Sequence, residues 1–226
     1  MRQRVYRLRV SGPVTASSLS QVACALGKRR WTSPAAVALV VNSEGGSFVQ
    51  ASLVKSAVET YALQQGVPVF TFVEDYALGP GYLVACAGQK MYLREGSVVG
   101  GVGAEYVHWN FRNTANVAKI KQHFWVFPKK TPLSDRVNSF KKLSKEYANW
   151  LDKLFLLAQS NVLSQISKVR GERIKQWNTF ENANWVRGPA AVRVGLADAV
   201  KAEQEVLRQE LGEVPVLELG QSWLRR

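Results

Sequence analysis

The sequence predicts an α/β fold with a largely parallel sheet, and three observations carry that prediction. Short apolar runs rich in β-branched residues alternate with helical patterns through the first half of the chain. The run Ala36–Val41 has no polar interruption, as a central strand buried on both faces would have. Two glycine-rich turns, Asn42–Gly46 and Ala77–Tyr82, each follow such a run.

Taken in order, Val5–Val10 alternates with period two and reads as a strand. Ser17–Lys28 places apolar residues at 19, 22, 23 and 26 and reads as a helix. After the Ala36–Val41 strand and the Asn42–Gly46 turn, a helix is expected from Ser47 to Gln65 with apolar positions 53, 54, 58 and 62. Val67–Val73 is the next strand, its Pro68 near the start, where a missing N–H costs least. The turn Gly79-Pro80-Gly81 leads into a small-residue helix ending at Cys86 and Ala87, and Lys90–Leu93 is a further short strand. Phe140–Val169 has the apolar spacing of a long amphipathic helix, and Trp150 and Phe155 make it stickier than a surface helix requires. No repeat, low-complexity tract or linker is evident. The expectation is one domain over 1–226, with a core at 4–111, a helical basic part at 112–205 and a tail at 206–226.

With 226 residues, 46% of them hydrophobic, the chain can bury one full core. It contains no apolar run of membrane-spanning length. The segment Met1–Val10 is basic but has neither the apolar stretch nor the small-residue cleavage site of a secretory signal. Cys24 and Cys86 both lie among apolar neighbours and read as buried thiols in a reducing compartment. His108 and His123 are too few and too scattered for a metal cluster, so neither metal nor cofactor is expected.

The net charge is +13, and it is concentrated. Residues 112–175 hold fourteen Lys/Arg against four Asp/Glu. Such a stretch attracts RNA phosphate, anionic lipid or an acidic protein, or is simply a solvated face. The candidates for anion or RNA contact are Arg112, Lys119, Lys121, Lys129, Lys141, Lys142 and Lys145. Trp109, Phe111, Phe124 and Trp125 are interleaved with them and could stack on bases, or could serve core or protein contacts.

The two glycine turns put backbone N–H groups at strand-to-helix junctions, where negative charge is favoured. Side by side they would form the framework of an oxyanion hole, although glycine turns after strands are common in α/β proteins. The residues around them resemble the signal peptide peptidase A family of serine–lysine peptidases. Val37–Ser47 is similar to that family's asparagine-serine-proline-glycine-glycine turn. Phe72–Ala87 is similar to its nucleophile segment, alanine-serine-glycine-glycine-tyrosine followed by a small-residue helix. Gly96–Gly103, Phe140–Leu151, Val169–Arg173, Trp185–Gly188 and Gly195–Ala199 resemble later landmarks in the right order. The resemblance covers about residues 4–200 and implies the crotonase/ClpP-like ββα spiral, which such proteins assemble into rings or stacks.

Carried over residue by residue, the resemblance exposes departures. Alignment on Gly81-Tyr82 puts Gly79 at the nucleophile, and glycine can form no acyl-enzyme. Pro80 stands where a backbone N–H would be an oxyanion donor, and proline has none. Glu44, beside Gly45 and Gly46, replaces a proline and brings a carboxylate toward the cleft. The general-base lysine falls at Thr131 without a gap, or at Lys130 with a one-residue shift. Ser43, Ser47 and Ser97 are the alternatives for a relocated nucleophile. A crotonase-type acyl-CoA activity, which needs no nucleophile, is also damaged by Pro80.

The function expected is therefore that of a non-catalytic pseudopeptidase, a structural subunit of a larger assembly such as an organellar ribonucleoprotein or ribosome. The competing readings are an active serine peptidase with a relocated nucleophile and a subunit of a membrane-associated mitochondrial complex. Protein partners are expected, with RNA and self-association as further candidates. The compartment expected is a mitochondrion, or otherwise another reducing intracellular compartment.

Overall fold

The computed structural model describes residues 4–27, 34–105, 107–123, 125, 127, 138–178 and 182–220. Its elements run β1 (Arg4–Ser11), α1 (Ala16–Gly27), β2 (Pro34–Ser43), α2 (Phe48–Gln65), β3 (Val69–Leu78), α3 (Pro80–Ala85), β4 (Lys90–Leu93) and β5 (Val98–Gly100). They continue with α4 (Arg112–Val117), α5 (Lys145–Arg170), β6 (Trp185–Arg187), α6 (Gly188–Arg193), β7 (Ala199–Val200), α7 (Glu203–Leu211) and β8 (Val216–Leu219). Together the strands make one mixed sheet in the order β6-β5-β3-β2-β1-β8, with β4 paired to β3 and β7. Every pairing is parallel except β5 with β6. This is the α/β fold with a largely parallel sheet that the alternation of elements predicts.

Period-two geometry explains why β2 is central. Val37, Leu39 and Val41 face a core shared with α1, α2 and α3, while Ala36, Ala38 and Val40 face Phe70, Phe72, Tyr92, Val206 and Leu207 on the other side. A strand that buries both faces has no polar positions to spare. Strand β3 changes neighbours along its length. Phe70–Val73 pairs with β4, whereas Tyr76–Leu78 pairs with β5. Its C-terminal end is thereby held between the end of β2 and β5, where the glycine turns lie.

Helix α2 starts at Ser47, whose Oγ accepts the Gln50 N–H at 3.4 Å, and stops at Gly66 in the left-handed conformation. Its buried stripe is Ala51, Val54, Val58 and Ala62. The stripe expected to include Leu53 is thus shifted, because Ala51 fits against the sheet and Leu53 faces out. Cys24 is also corrected. It is exposed, since α1 buries Ser18, Val22, Ala25 and Leu26 and turns Cys24 away, while Cys86 is buried as expected.

The chain divides into two compact units, one of residues 1–103 with 161–226 and the other of residues 104–160. Helix α5 contributes to both, its residues from Asn161 onward belonging to the first. The segment from 206, read from sequence as a tail, instead carries two thirds of α7 and all of β8. Parallel pairing of β8 with β1, Val5 to Val216 through Leu8 to Leu219, makes it an edge strand of the sheet.

Candidate functional site

Both glycine turns sit at the C-terminal ends of neighbouring parallel strands, and the sequence brings them into contact. Ser43 pairs with Ala77 across β2 and β3. The Asn42 side chain clips the two strand ends together, Oδ1 accepting the Tyr76 N–H at 3.2 Å and Nδ2 donating to Asp75 Oδ2 at 2.9 Å. A Cβ placed on Gly45 would lie 4.0 Å from Pro80 Cδ, and one on Gly81 would lie 2.8 Å from Ser43 Cβ. The turns therefore pack backbone to backbone. On its outer side, Gly45–Ser47 pairs with Val14, whose N–H donates to Gly45 O at 2.8 Å.

Gly79 caps α3 with φ +48° and ψ −113°, a sharp strand-to-helix elbow that side chains adopt only under strain. Its N–H donates to Gly100 O at 2.8 Å and its carbonyl accepts the Leu83 N–H at 3.2 Å, so the elbow is fixed from both sides. A Cβ here would meet Gly101 O at 3.3 Å and Phe48 Cζ at 3.8 Å, a close but not prohibitive fit. Pro80 follows at the first helical position, buried, with its fixed φ suited to starting a helix. The position thus supplies neither a side chain at 79 nor an N–H at 80. Glu44 is exposed, where solvent screens its carboxylate, so its unfavourable influence on the cleft is weaker than a buried group would exert. Lys129, Lys130 and Thr131 lie outside the described residues.

The three serines that could relocate the nucleophile are each engaged in local structure. Ser43 Oγ donates to Gly45 O at 3.2 Å and accepts the Gly45 N–H at 3.3 Å. Ser47 caps α2. Ser97 is buried, accepts the Arg94 N–H at 2.8 Å and donates toward the carbonyls of Val73, at 3.1 Å, and Glu74.

Behind the elbow lies a polar hub. The fully buried Arg170 guanidinium bonds Asp198 Oδ2 at 3.1 Å and Gly195 O at 3.2 Å, and Arg173 reaches Asp198 Oδ1 at 3.2 Å. Asp198 Oδ2 also accepts the Met91 N–H at 2.6 Å. Tyr82, on α3, donates its buried hydroxyl to Leu196 O at 2.8 Å. Burial lifts the Tyr82 phenol well above its ordinary range, so it stays a neutral donor, and burial pushes the Cys86 thiol up to about 12. Cys86 is consequently no nucleophile at neutral pH.

Arg170 corrects the idea of an unbroken basic face over 112–175. Its position continues the buried stripe Val162–Ile166 at intervals of four, and that spacing was the signal available in the sequence. By contrast Arg112, Lys119, Lys121, Lys141, Lys142 and Lys145 are all exposed and all belong to the unit 104–160.

In this largely parallel sheet β3 ends in a positive-φ elbow set against a second glycine turn, and strand-to-helix elbows of that kind recur in α/β enzymes. The chain belongs to Peptidase family S49, whose profile matches residues 61–214. Among solved structures, an alanine mutant of the 1510-N membrane-bound stomatin-specific protease superposes with a TM-score of 0.62 at 12% identity, covering 98% of this chain and 100% of that one. A second alanine mutant of that protease, in complex with a substrate peptide, gives 0.61 at 13% identity and covers 98% and 94%. At that identity the likeness defines the fold, the peptidase-type α/β spiral.

Curated relatives include the Na+/H+ antiporter NhaA of Brucella abortus and of Brucella melitensis, each 26% identical over 189 residues, which is 82% of this chain and 25% of each relative. MJ0651 of Methanocaldococcus jannaschii, provisionally named a protease, is 24% identical over 178 residues, 76% of this chain and 54% of the relative. The chain therefore spans about a quarter of the length of the first two relatives and about half of the third. Among the described residues no helix is long and apolar enough to cross a membrane.

Proposed function

We propose that this chain is a non-catalytic member of Peptidase family S49 that serves as a structural subunit of a larger assembly. The observation that carries the proposal is the elbow itself. Gly79 has the strained backbone of a nucleophile position but no nucleophile, and the next residue has no N–H to offer an oxyanion. Losing one such donor alone costs about 10²–10³ in rate. Ser43, Ser47 and Ser97 are bound into turns or buried, which argues against a relocated nucleophile.

The scaffold part of the proposal rests on the surface. Of eighteen exposed large hydrophobic residues among the described ones, twelve lie within 104–160, including Trp125, Phe127, Leu156 and Leu157. Apolar surface at that density is characteristic of protein-binding faces. The exposed free thiol of Cys24 fits a reducing compartment, and with the basic composition it supports a mitochondrial or similar organellar setting.

The test is labelling of the purified protein with a serine-reactive fluorophosphonate, with an active serine hydrolase as reference. No stoichiometric adduct is expected on any serine. A single labelled serine, with peptide hydrolysis abolished on its replacement by alanine, would overturn the proposal. Membrane attachment of the assembly is a second reading. It is favoured by the names of the relatives, an antiporter and a membrane-bound protease. Co-sedimentation of the endogenous protein with membranes, released by salt rather than detergent, is its expected signature.

A further inference from the structure

We infer that the unit 104–160 carries a binding site for single-stranded nucleic acid, built from an aromatic row beside a basic pocket. The row is Trp109, Phe111 and Phe140. Trp109 and Phe111 are parallel to within 9° with centroids 6.5 Å apart, and Phe111 meets Phe140 at 6.4 Å and 48°. Trp109 is 68% exposed and Phe111 45%, so two indole and phenyl surfaces face water without covering the core. The exposed indole of Trp109 and phenyl ring of Phe111 offer stacking platforms for bases.

The pocket adjoins the row through Phe140. Its volume is about 250 Å³, a little below the usual ~300–1,000 Å³ of small-molecule pockets, and Arg112, Asn116, Gln122, Asn138 and Lys141 line it together with Phe140. Among the described residues, no carboxylate lines it. A space of that size suits a phosphate and its sugar, with the base lying outside on the row.

The arrangement is built, not merely a scatter of surface lysines. The Asn110 side chain accepts the Arg112 N–H at 3.0 Å and donates to the Lys141 carbonyl at 3.2 Å. The Phe111 N–H donates to Ser139 O at 2.7 Å, and Asn138 Oδ1 accepts the Phe140 N–H at 2.9 Å. Two of these bonds, Asn110 to Lys141 and Phe111 to Ser139, join segments about thirty residues apart in sequence, and the other two fix the local turns, so that two cations and three aromatic rings share one locality. Lys119, Lys121, Lys142 and Lys145 are exposed in the same unit and add long-range attraction for phosphate. Rings supply base stacking that is tolerant of sequence, and cations supply phosphate contact, the two requirements for binding a single strand.

The site stands apart from the loss of catalysis, since an active hydrolase could carry it equally well, and the probe labelling above tests that other reading alone. The experiment is fluorescence anisotropy of the full chain with a labelled twelve-nucleotide oligouridylate at 50 and 200 mM KCl. Wild type is expected to bind and to weaken steeply with salt. Arg112→Gln with Lys141→Gln should flatten the log–log salt slope by about 1.4, two phosphate contacts at about 0.7 each. Trp109→Ala should weaken binding about five- to a hundredfold. Trp109→Phe should recover most of the affinity and Trp109→Leu should not, which separates stacking from a structural effect. Trp185→Ala, an exposed indole in the other unit, should change affinity less than twofold.

Each variant is first checked for an unchanged thermal melt. Absence of wild-type binding at 50 mM KCl would overturn the inference. So would binding that Trp109→Ala and the Arg112/Lys141 pair leave unaltered. Displacement of the RNA by oligoglutamate of equal charge, at equal concentration, would show a surface for acidic protein instead. Binding to phosphatidylserine vesicles that depends on these residues, without binding to RNA, would show a lipid surface and equally overturn it.

Discussion

Gly79 and Gly195 are both glycines with positive φ, +48° and +86°, yet they are glycine for different reasons. A Cβ on Gly195 would lie 1.7 Å from the Arg173 carbonyl oxygen, so packing forbids any side chain there. A Cβ on Gly79 would meet its nearest atom, Gly101 O, at 3.3 Å, so the space for a small side chain is still present. The hub around Gly195, Asp198 and Arg170 is held by close approach and by buried charge. The elbow at Gly79 keeps a sharp strand-to-helix turn with room for a small side chain, and the proposed loss of catalysis would lie there, where residue 79 has no side chain and residue 80 no N–H. Under the proposed function, architecture and reactivity are separable in this molecule, and substitutions at the two places test that separation.

The largest effect is expected at the hub. Asp198→Ala leaves the buried Arg170 guanidinium without its carboxylate and removes the acceptor of the Met91 N–H. Breaking one partner of a buried pair costs about 3–5 kcal/mol. Urea unfolding of the purified variant should show a loss in that range, and a change below about 1 kcal/mol would mean the pair is not structural. The double variant Arg170→Met with Asp198→Leu should recover part of the loss, because it removes the stranded charge as well.

An intermediate effect is expected from pH. The Cys86 thiol, pushed up to about 12 by burial, and the Tyr82 phenol, raised in the same way, hold their protons more tightly folded than unfolded. Groups with a raised folded pKa contribute fully below their unfolded pKa, and that contribution falls as pH rises toward the folded value. For Cys86 the loss begins near pH 9 and continues to about 12. At about pH 10.5 it amounts to about 2 kcal/mol, and Cys86→Ala should remove its share of this alkaline slope. A thiol reagent at pH 8 should modify the exposed Cys24 and spare Cys86 until the protein unfolds. Equal labelling of both in the native state would contradict the burial that closes the core behind the elbow.

Much of the fold was legible because its strands have strong period-two or uninterrupted apolar patterns. Ala36–Val41 could hardly be anything but a central strand, and β2 buries both faces as that pattern requires. The short strands β5, β6 and β7 were not found, since two or three residues carry no period. β8 was missed for another reason: an edge strand of four residues at the end of the chain resembles a tail until β1 is known to lack a neighbour. The pair of glycine turns was legible, but the contacts that surround it were not. That Asn42 clips the strands, and that Arg170 is buried on the stripe of Val162 and Ile166, depends on partners distant in sequence. Composition placed Arg170 with the surface cations because charge alone does not distinguish a solvated arginine from one paired in the interior.

The smallest effect is expected at the elbow. Gly79→Ser places a side chain at φ +48°, ψ −113°, which costs about 1–2 kcal/mol, and its Cβ must accommodate Gly101 O. Proline at 80 adds to the cost, because a residue before proline that carries a Cβ is driven toward extended ψ near +120° to +160°. In a Pro80→Gly background the same serine should therefore be tolerated better, giving a non-additive cycle between neighbours. Peptide hydrolysis should be absent from the Gly79→Ser single variant, since Pro80 still offers no N–H. Turnover by that single variant would show that the elbow needs only its nucleophile, and the distinction between retained architecture and lost chemistry would then narrow to one atom. If the stability cost is the same with proline or glycine at 80, the pair Gly79–Pro80 is not coupled, and the two losses at the elbow are independent.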